Sequence, residues 1–346
     1  KLQHNKPIDN QKPLIIDPVL VFTTYSGSQA DNFGFTATYD EKGCLYAGGI
    51  VDANSRIYPV TTGAFQTTYG GSNNQAEPVY LPCDISISKY SADGSTLLYA
   101  TYIGGSNNEY PHSLCTNFDN ELIVMGSTLS QNFPIHPDSS IQKSKSTGSD
   151  LILMKLSEDG STLLGGTFLG GQFDDAFQTN SGTRRSQLIF NYADNYRGDV
   201  TADKYGNIYV ATCSQSSDLV MAQSLDQTTI KGKTDAWVFS TTPNLSTMRW
   251  GTYIGGSADD AAYSCRFDSK GNLFIGGGTM SNDFPFADNT GYIQSYKDGT
   301  EGFIAKLNPN TGKWLKGTLW RGDLPPVTQS QGNDQIYFID LDPDDK

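Results

Sequence analysis

Acidic residues recur at one place in this chain. Asp31, Glu109, Asp174, Asp175, Asp259 and Asp260 each lie a few residues beyond a glycine pair or its single-glycine counterpart. Grouped carboxylates are the hard oxygen ligands that Ca²⁺ takes, so Asp174, Asp175, Asp259 and Asp260 are candidate metal ligands. The competing role, and the one expected, is turn capping, because Asp after Gly readily accepts from nearby backbone N–H groups. The run Asp340-Leu341-Asp342-Pro343-Asp344-Asp345 opens like a Ca²⁺ loop, but Pro343 is awkward there and a hairpin turn fits better. Arg184, Arg185 and Arg197 stand out on an acidic chain and could bind carboxylates or sulfates through paired N–H donors. Catalysis is not expected. The three histidines, His4, His112 and His136, are too few for a zinc site, and His112 has no GxSxG serine to serve.

These residues sit between short apolar runs. From Met248 to Thr311 the chain reads MRWGTYIGGS, ADDAAYSCRFDSKGN, LFIGGGTMSNDFPF and, further on, EGFIAKLNPN. Runs of five to eight β-branched and aromatic residues bounded by Gly, Asp, Asn and Ser read as strands. The Asp268-Ser269-Lys270-Gly271-Asn272 turn closes a hairpin, with Gly271 at a positive φ. The same unit recurs. Gly-Gly pairs end at 105, 171 and 256, and strands led by an acid start at Asp84, Asp150, Asp235 and Glu301.

Strands repeated in fours with no helical pattern between them predict an all-β chain, a β-propeller of four-stranded blades. Runs such as Leu151-Ile152-Leu153-Met154 are apolar on both faces, as expected where a blade packs on each side. Residues 1–18 read as an extended arm and 19–346 as the propeller, with blades at about 33–103, 112–169, 196–254 and 262–320 and a partial blade at 335–346. Val19–Ser26 matches an outermost strand and Gln335–Leu341 an innermost one. Four complete blades plus end strands suggest part of a larger ring of about seven blades. A longer segment, Gln172–Arg197, is inserted before the third blade's inner strand, and loops carry function more often than scaffolds do.

Composition narrows the partners. A net charge of −13 argues against nucleic acid or an anionic membrane surface. No run of 18 apolar residues is present, so membrane insertion is not expected. Cys44, Cys83, Cys115, Cys213 and Cys265 are spread singly and are expected to stay free as small buried hydrophobes.

Thr252-Tyr253-Ile254-Gly255-Gly256-Ser257, Asp268-Ser269-Lys270-Gly271-Asn272-Leu273-Phe274, Ser281-Asn282-Asp283-Phe284-Pro285 and Gly302-Phe303-Ile304-Ala305-Lys306-Leu307-Asn308 resemble the SBBP class of β-propeller repeat. The resemblance runs from about Pro18 to Lys346, departing at Asp218-Leu219-Val220, where Asp-Phe-Pro belongs. It is similar in order to the propeller region of large surface proteins of gliding Bacteroidetes. The resemblance implies a secreted, extracellular cell-surface module exported by the type IX secretion system, similar to gliding-associated ones, and brings no catalytic residues. The expectation is therefore a non-catalytic binding or adhesion module, part of a larger exported protein, that meets a protein or glycan partner at the cell surface. The alternatives are a glycan-active enzyme, sialidase- or lyase-like, and a structural spacer. Against the sialidase reading, Arg56, Arg249, Arg266 and Arg321 lie at dissimilar repeat positions.

Overall fold

The computed structural model describes residues 22–29, 32–52, 57–71, 82–178, 186–191, 194–222, 226–285, 295–297, 299–321 and 333–341. Sixteen strands are assigned among them, in four antiparallel sheets of four. The first blade holds β1 (Asn32–Tyr39), β2 (Leu45–Asp52), β3 (Cys83–Tyr90) and β4 (Leu97–Ile103). The second holds β5 (Glu109–Thr116), β6 (Leu122–Thr128), β7 (Asp150–Leu156) and β8 (Leu163–Leu169). The third holds β9 (Asp199–Ala202), β10 (Ile208–Ser214), β11 (Asp235–Thr241) and β12 (Met248–Ile254). The fourth holds β13 (Asp260–Phe267), β14 (Leu273–Thr279), β15 (Glu301–Leu307) and β16 (Trp314–Trp320). Strands pair in chain order within each sheet, and the first strand of each sheet contacts that of the next. The fold is a β-propeller.

Apolar faces meet between blades. Tyr46, Ile85 and Tyr99 of the first blade pack with Val124, Ile152 and Phe168 of the second. Met125 and Leu153 pack with Trp237 and Phe239 of the third, and Val238 and Trp250 pack with Ile275 and Phe303 of the fourth. A strand buried on both faces can be apolar throughout, which is why β7 reads Asp-Leu-Ile-Leu-Met-Lys-Leu. Each turn between third and fourth strands also seats against the preceding blade. Gly160 lies on the Tyr99 ring and Gly312 on Trp250. Gly94 lies in the same way on Phe22, so Phe22 holds the outer-strand place of the blade that precedes the first.

The inner strands β1, β5 and β13 each carry a β-bulge, with Phe35, His112 and Tyr263 as the extra residue. Opposite the bulge stand Gly49, Gly126 and Gly277. A Cβ there would lie 2.2 Å from Phe33 O, 2.3 Å from Tyr110 O and 2.1 Å from Ala261 O. The third blade has Thr212 at this position. Its inner strand starts at Asp175–Ala176, bridged to Ser214 and Cys213, and resumes at Asp199 opposite Ala211. Most of the insertion expected ahead of this strand therefore lies between the bridged Asp175–Ala176 and Asp199, where the other blades carry the bulge. Inner strands also begin earlier than expected, at Glu109 and Asp260, because a bulge conceals the two-residue alternation.

The segment Gln335–Leu341 follows β13 and β14. Ile336 N donates to Gly277 O at 3.1 Å, Ile339 N donates to Ser264 Oγ at 3.2 Å, and Tyr337 stacks on Tyr263 at 5.4 Å. It lies against the inner strands of the fourth blade without being assigned as a strand itself. All five cysteines are free thiols in separate strands or turns.

Candidate functional site

Glu109, Asp175 and Asp260 lie at the blade junctions, each facing the acid that opens the preceding blade's third strand, whereas Asp31 lies outside the described residues. A Cβ on Gly104 would sit 2.4 Å from Asp84 Oδ1 and 2.8 Å from Glu109 Oε2, so two carboxyls flank one bare Cα. At Gly255 it would sit 2.7 Å from Asp260 Oδ2 and 2.9 Å from Asp235 Oδ2. At Gly170 it would meet Asp150 Oδ1 at 2.7 Å, with Asp175 bonded to the neighbouring Gly171. The second glycine of each pair donates its N–H to the following acid: Gly105 to Glu109 at 3.0 Å, Gly171 to Asp175 at 2.7 Å and Gly256 to Asp260 at 2.8 Å. A glutamine completes each node, with Gln66, Gln142 and Gln227 accepting from the first glycine's N–H. The Gly-Gly motif is thus a junction device in which space requires both glycines, the first beside the carboxyls and the second beside Ser130, Ser216 or Ser281, while the second also donates its N–H.

The four candidate Ca²⁺ ligands sort accordingly. Asp175 and Asp260 are buried node members, and Ser216 and Ser281 donate to them at 2.9 and 2.7 Å. Asp174 accepts from Ser149 N at 3.0 Å and Asp259 from Gln187 N at 2.9 Å. Among the described residues no three His, Cys, Asp or Glu side chains group as a metal site would need. Arg184 and Arg185 lie outside the described residues. Arg197 is engaged within the fold: its Nε donates to Asp194 at 2.7 Å and its guanidinium lies 4.2 Å from the Tyr337 ring centroid. That end of the axis is filled by the insertion, whose Tyr196 stacks on Tyr110 at 4.1 Å and meets Phe35, His112 and Phe177. His112 is buried, which pushes its imidazole down to about 3, and its Nε2 faces Ser127 Oγ at 3.0 Å.

A second polar chain, unforeseen in the sequence, runs around the axis. Ser113 Oγ donates to Asp199 at 2.7 Å, and Asp199 also accepts from Cys265 N at 3.0 Å, Ser264 Oγ at 3.3 Å and Arg266 at 2.5 Å. The register makes Ser113, Asp199 and Ser264 equivalent positions of successive inner strands. Only the third blade places a carboxylate there, and only the fourth places an arginine two residues on. Burial works against the Arg266 charge, yet Asp199, Cys265 and Asp340 together hold its guanidinium above the ordinary value. Arg266 and Asp340 occupy the end of the axis where the inner hairpins turn. Asp340 is exposed, and Tyr39, Phe118 and Tyr205 are exposed aromatics near those same turns. A peripheral cavity of about 500 Å³ lined by Lys89, Tyr99 and Glu158 offers less. Its Lys89 ammonium is already held, 3.2 Å from Asp40 and donating to Glu158 O at 3.1 Å.

No family model matches the chain, and no curated protein matches it. Among solved structures it is similar to a protein of unknown function from Dyadobacter fermentans, at 13% identity and a TM-score of 0.42, covering 85% of this chain and 70% of that one. It is also similar to the GH43_1 enzyme from Xanthomonas citri complexed with xylose, at 6% identity and a TM-score of 0.37, covering 85% and 76%. A third is a putative hydrolase from Bacteroides ovatus, at 10% identity and a TM-score of 0.36, covering 93% and 78%. Several of the similar structures are glycoside hydrolases, against the expectation of a non-catalytic binding and adhesion module. At these scores the likeness supplies no residue correspondence.

Proposed function

We propose that the protein is a glycan-active enzyme whose site is the end of the axis where the inner hairpins turn. One observation carries the reading: Arg266 is held by the buried Asp199 on one side while the exposed Asp340 acts on it from the next inner segment. Glycoside cleavage uses a pair of carboxyl groups, one giving a proton to the leaving oxygen and the other acting on the opposite side of the sugar. Asp340 is the solvent-facing member here. Asp199 is the enclosed one, and Arg266 is placed to bind a sugar hydroxyl or an acidic substituent. The exposed rings of Tyr39, Phe118 and Tyr205 offer apolar faces with polar tips, which suits amphipathic sugar rings. The resemblance of the repeats to those of exported surface proteins supports placing this activity outside the cell.

Reducing-end release from a panel of plant and microbial polysaccharides tests the reading. Turnover is expected on at least one substrate, falling about 100-fold or more in Asp340→Asn, the scale of a lost acid–base group. Tyr39→Ala and Phe118→Ala are expected to raise KM with smaller changes in kcat. Absence of turnover across the panel, or full activity in Asp340→Asn, overturns it.

A further inference from the structure

We propose that the first three blade junctions act as proton-held latches, each keeping a proton within its pair of buried carboxyls, so that the ring tightens in mild acid and loosens as the pairs ionise. The pairs are Asp84 with Glu109, Asp150 with Asp175 and Asp235 with Asp260, all six residues almost completely buried. Each pair joins the third strand of one blade to the inner strand of the next; at Gly104 and Gly255 the missing Cβ leaves both carboxyls facing one backbone carbon, and at Gly170 it leaves room for Asp150 beside the Gly171 N–H that Asp175 accepts. Two like charges enclosed this way, with so little solvent, cannot both ionise without cost. Asp84 Oδ1 and Asp150 Oδ1 have no hydrogen-bond partner among the described residues, while Asp84 Oδ2 accepts from Gly70 N at 2.7 Å and Asp150 Oδ2 from Ser146 N at 2.9 Å. A lone oxygen beside a second carboxyl is where a carboxylic acid O–H would sit.

The groups facing each pair are few. Asp84 and Glu109 face Tyr69, Tyr102 and Cys83, and Thr128 and Ser130 donate to Glu109. Asp150 and Asp175 face Lys145, Asp218, Tyr253 and Cys213, and Ser214 and Ser216 donate to Asp175. Asp235 and Asp260 face Lys231 and Tyr253, with Thr279 and Ser281 on Asp260. Lys145 and Lys231 favour the ionised form, but burial outweighs them. It pushes Asp150 and Asp235 up to about 6, Asp84, Glu109 and Asp175 up to about 7, and Asp260 up to about 8. Because these folded values exceed those of the unfolded chain, the folded state binds more protons across the interval. Stability from the pairs is full below about pH 4 and is lost as pH rises toward 8. Exposed turn carboxylates such as Asp93 and Asp159 are held below the usual range by their serine donors and work in the opposite sense, below about pH 4. The most stable pH is therefore mildly acidic.

Thermal unfolding of the full chain between pH 5 and pH 8.5 tests the latch. Tm is expected to fall by about 5 °C or more across this range. In the triple variant Asp84→Asn, Asp150→Asn, Asp235→Asn, each amide keeps the acceptor oxygen and supplies a permanent donor, so the fall is expected to shrink by about half, leaving the part carried by the buried Glu109, Asp175 and Asp260. A wild-type Tm that is flat or rises from pH 5 to pH 8.5, or a triple variant that keeps the wild-type slope, overturns the proposal. If the variant does not fold, infrared spectroscopy of the wild type at pH 6 decides. A C=O stretch from protonated carboxyls that fades by pH 8.5 supports the latch, and its absence at pH 6 refutes it.

Discussion

Gly126→Ala is expected to destabilise the fold by about 3 kcal/mol, a large loss for a single methyl group. Its Cβ would lie 2.3 Å from Tyr110 O, a backbone carbonyl beside the β5 bulge, and 3.3 Å from Ile152. A flexible side chain could move aside, but a carbonyl held between two strands cannot shift without disturbing the ladder. Thr212→Gly, at the equivalent site of the blade whose inner strand is opened, is expected to cost only about 1 kcal/mol, the ordinary entropic penalty of glycine. Urea unfolding of both variants measures the contrast. Equal losses would mean that the bulge carbonyl yields and that the opened strand does not explain the threonine.

Asp199→Ala is expected to cost about 3 kcal/mol, because it removes a buried acceptor that several donors share. The change strips Ser113 Oγ and Cys265 N of their acceptor at once, along with Arg266, and so unties β9 from β5 and β13. Asp199→Asn should cost less, since an amide oxygen can still accept from Ser113 or Cys265. Added salt should weaken only the Arg266 share of the loss, because that side chain is 37% exposed while the Ser113 and Cys265 bonds to Asp199 are buried. A loss below about 1 kcal/mol in Asp199→Ala would show that apolar packing alone holds the inner strands around the axis.

The repeat, the four-stranded unit and the burial of the third strands were legible in the sequence. Each rests on local chemistry: period-two patterning, glycine-bearing turns and runs apolar enough to be covered on both faces. The recurring acids and Gly-Gly pairs were equally visible as a pattern, but Asp174 and Asp259 accept from Ser149 N and Gln187 N, distant in the chain, and not from their own turns. Their partners were not visible. Asp84 meets Glu109 across a blade boundary, 25 residues on, and a periodic pattern says that two positions recur without saying which face which. The insertion was found by length but misplaced, because a bulge adds one residue without altering composition, and only the strand register shows where the ladder opens. Asp199 and Arg266 drew no attention as a pair for the same reason. They sit 67 residues apart in different blades, and their contact exists only because successive inner strands are brought side by side around the axis. Spacing along the chain determined the blades, and closure of the blades around an axis decided which side chains meet.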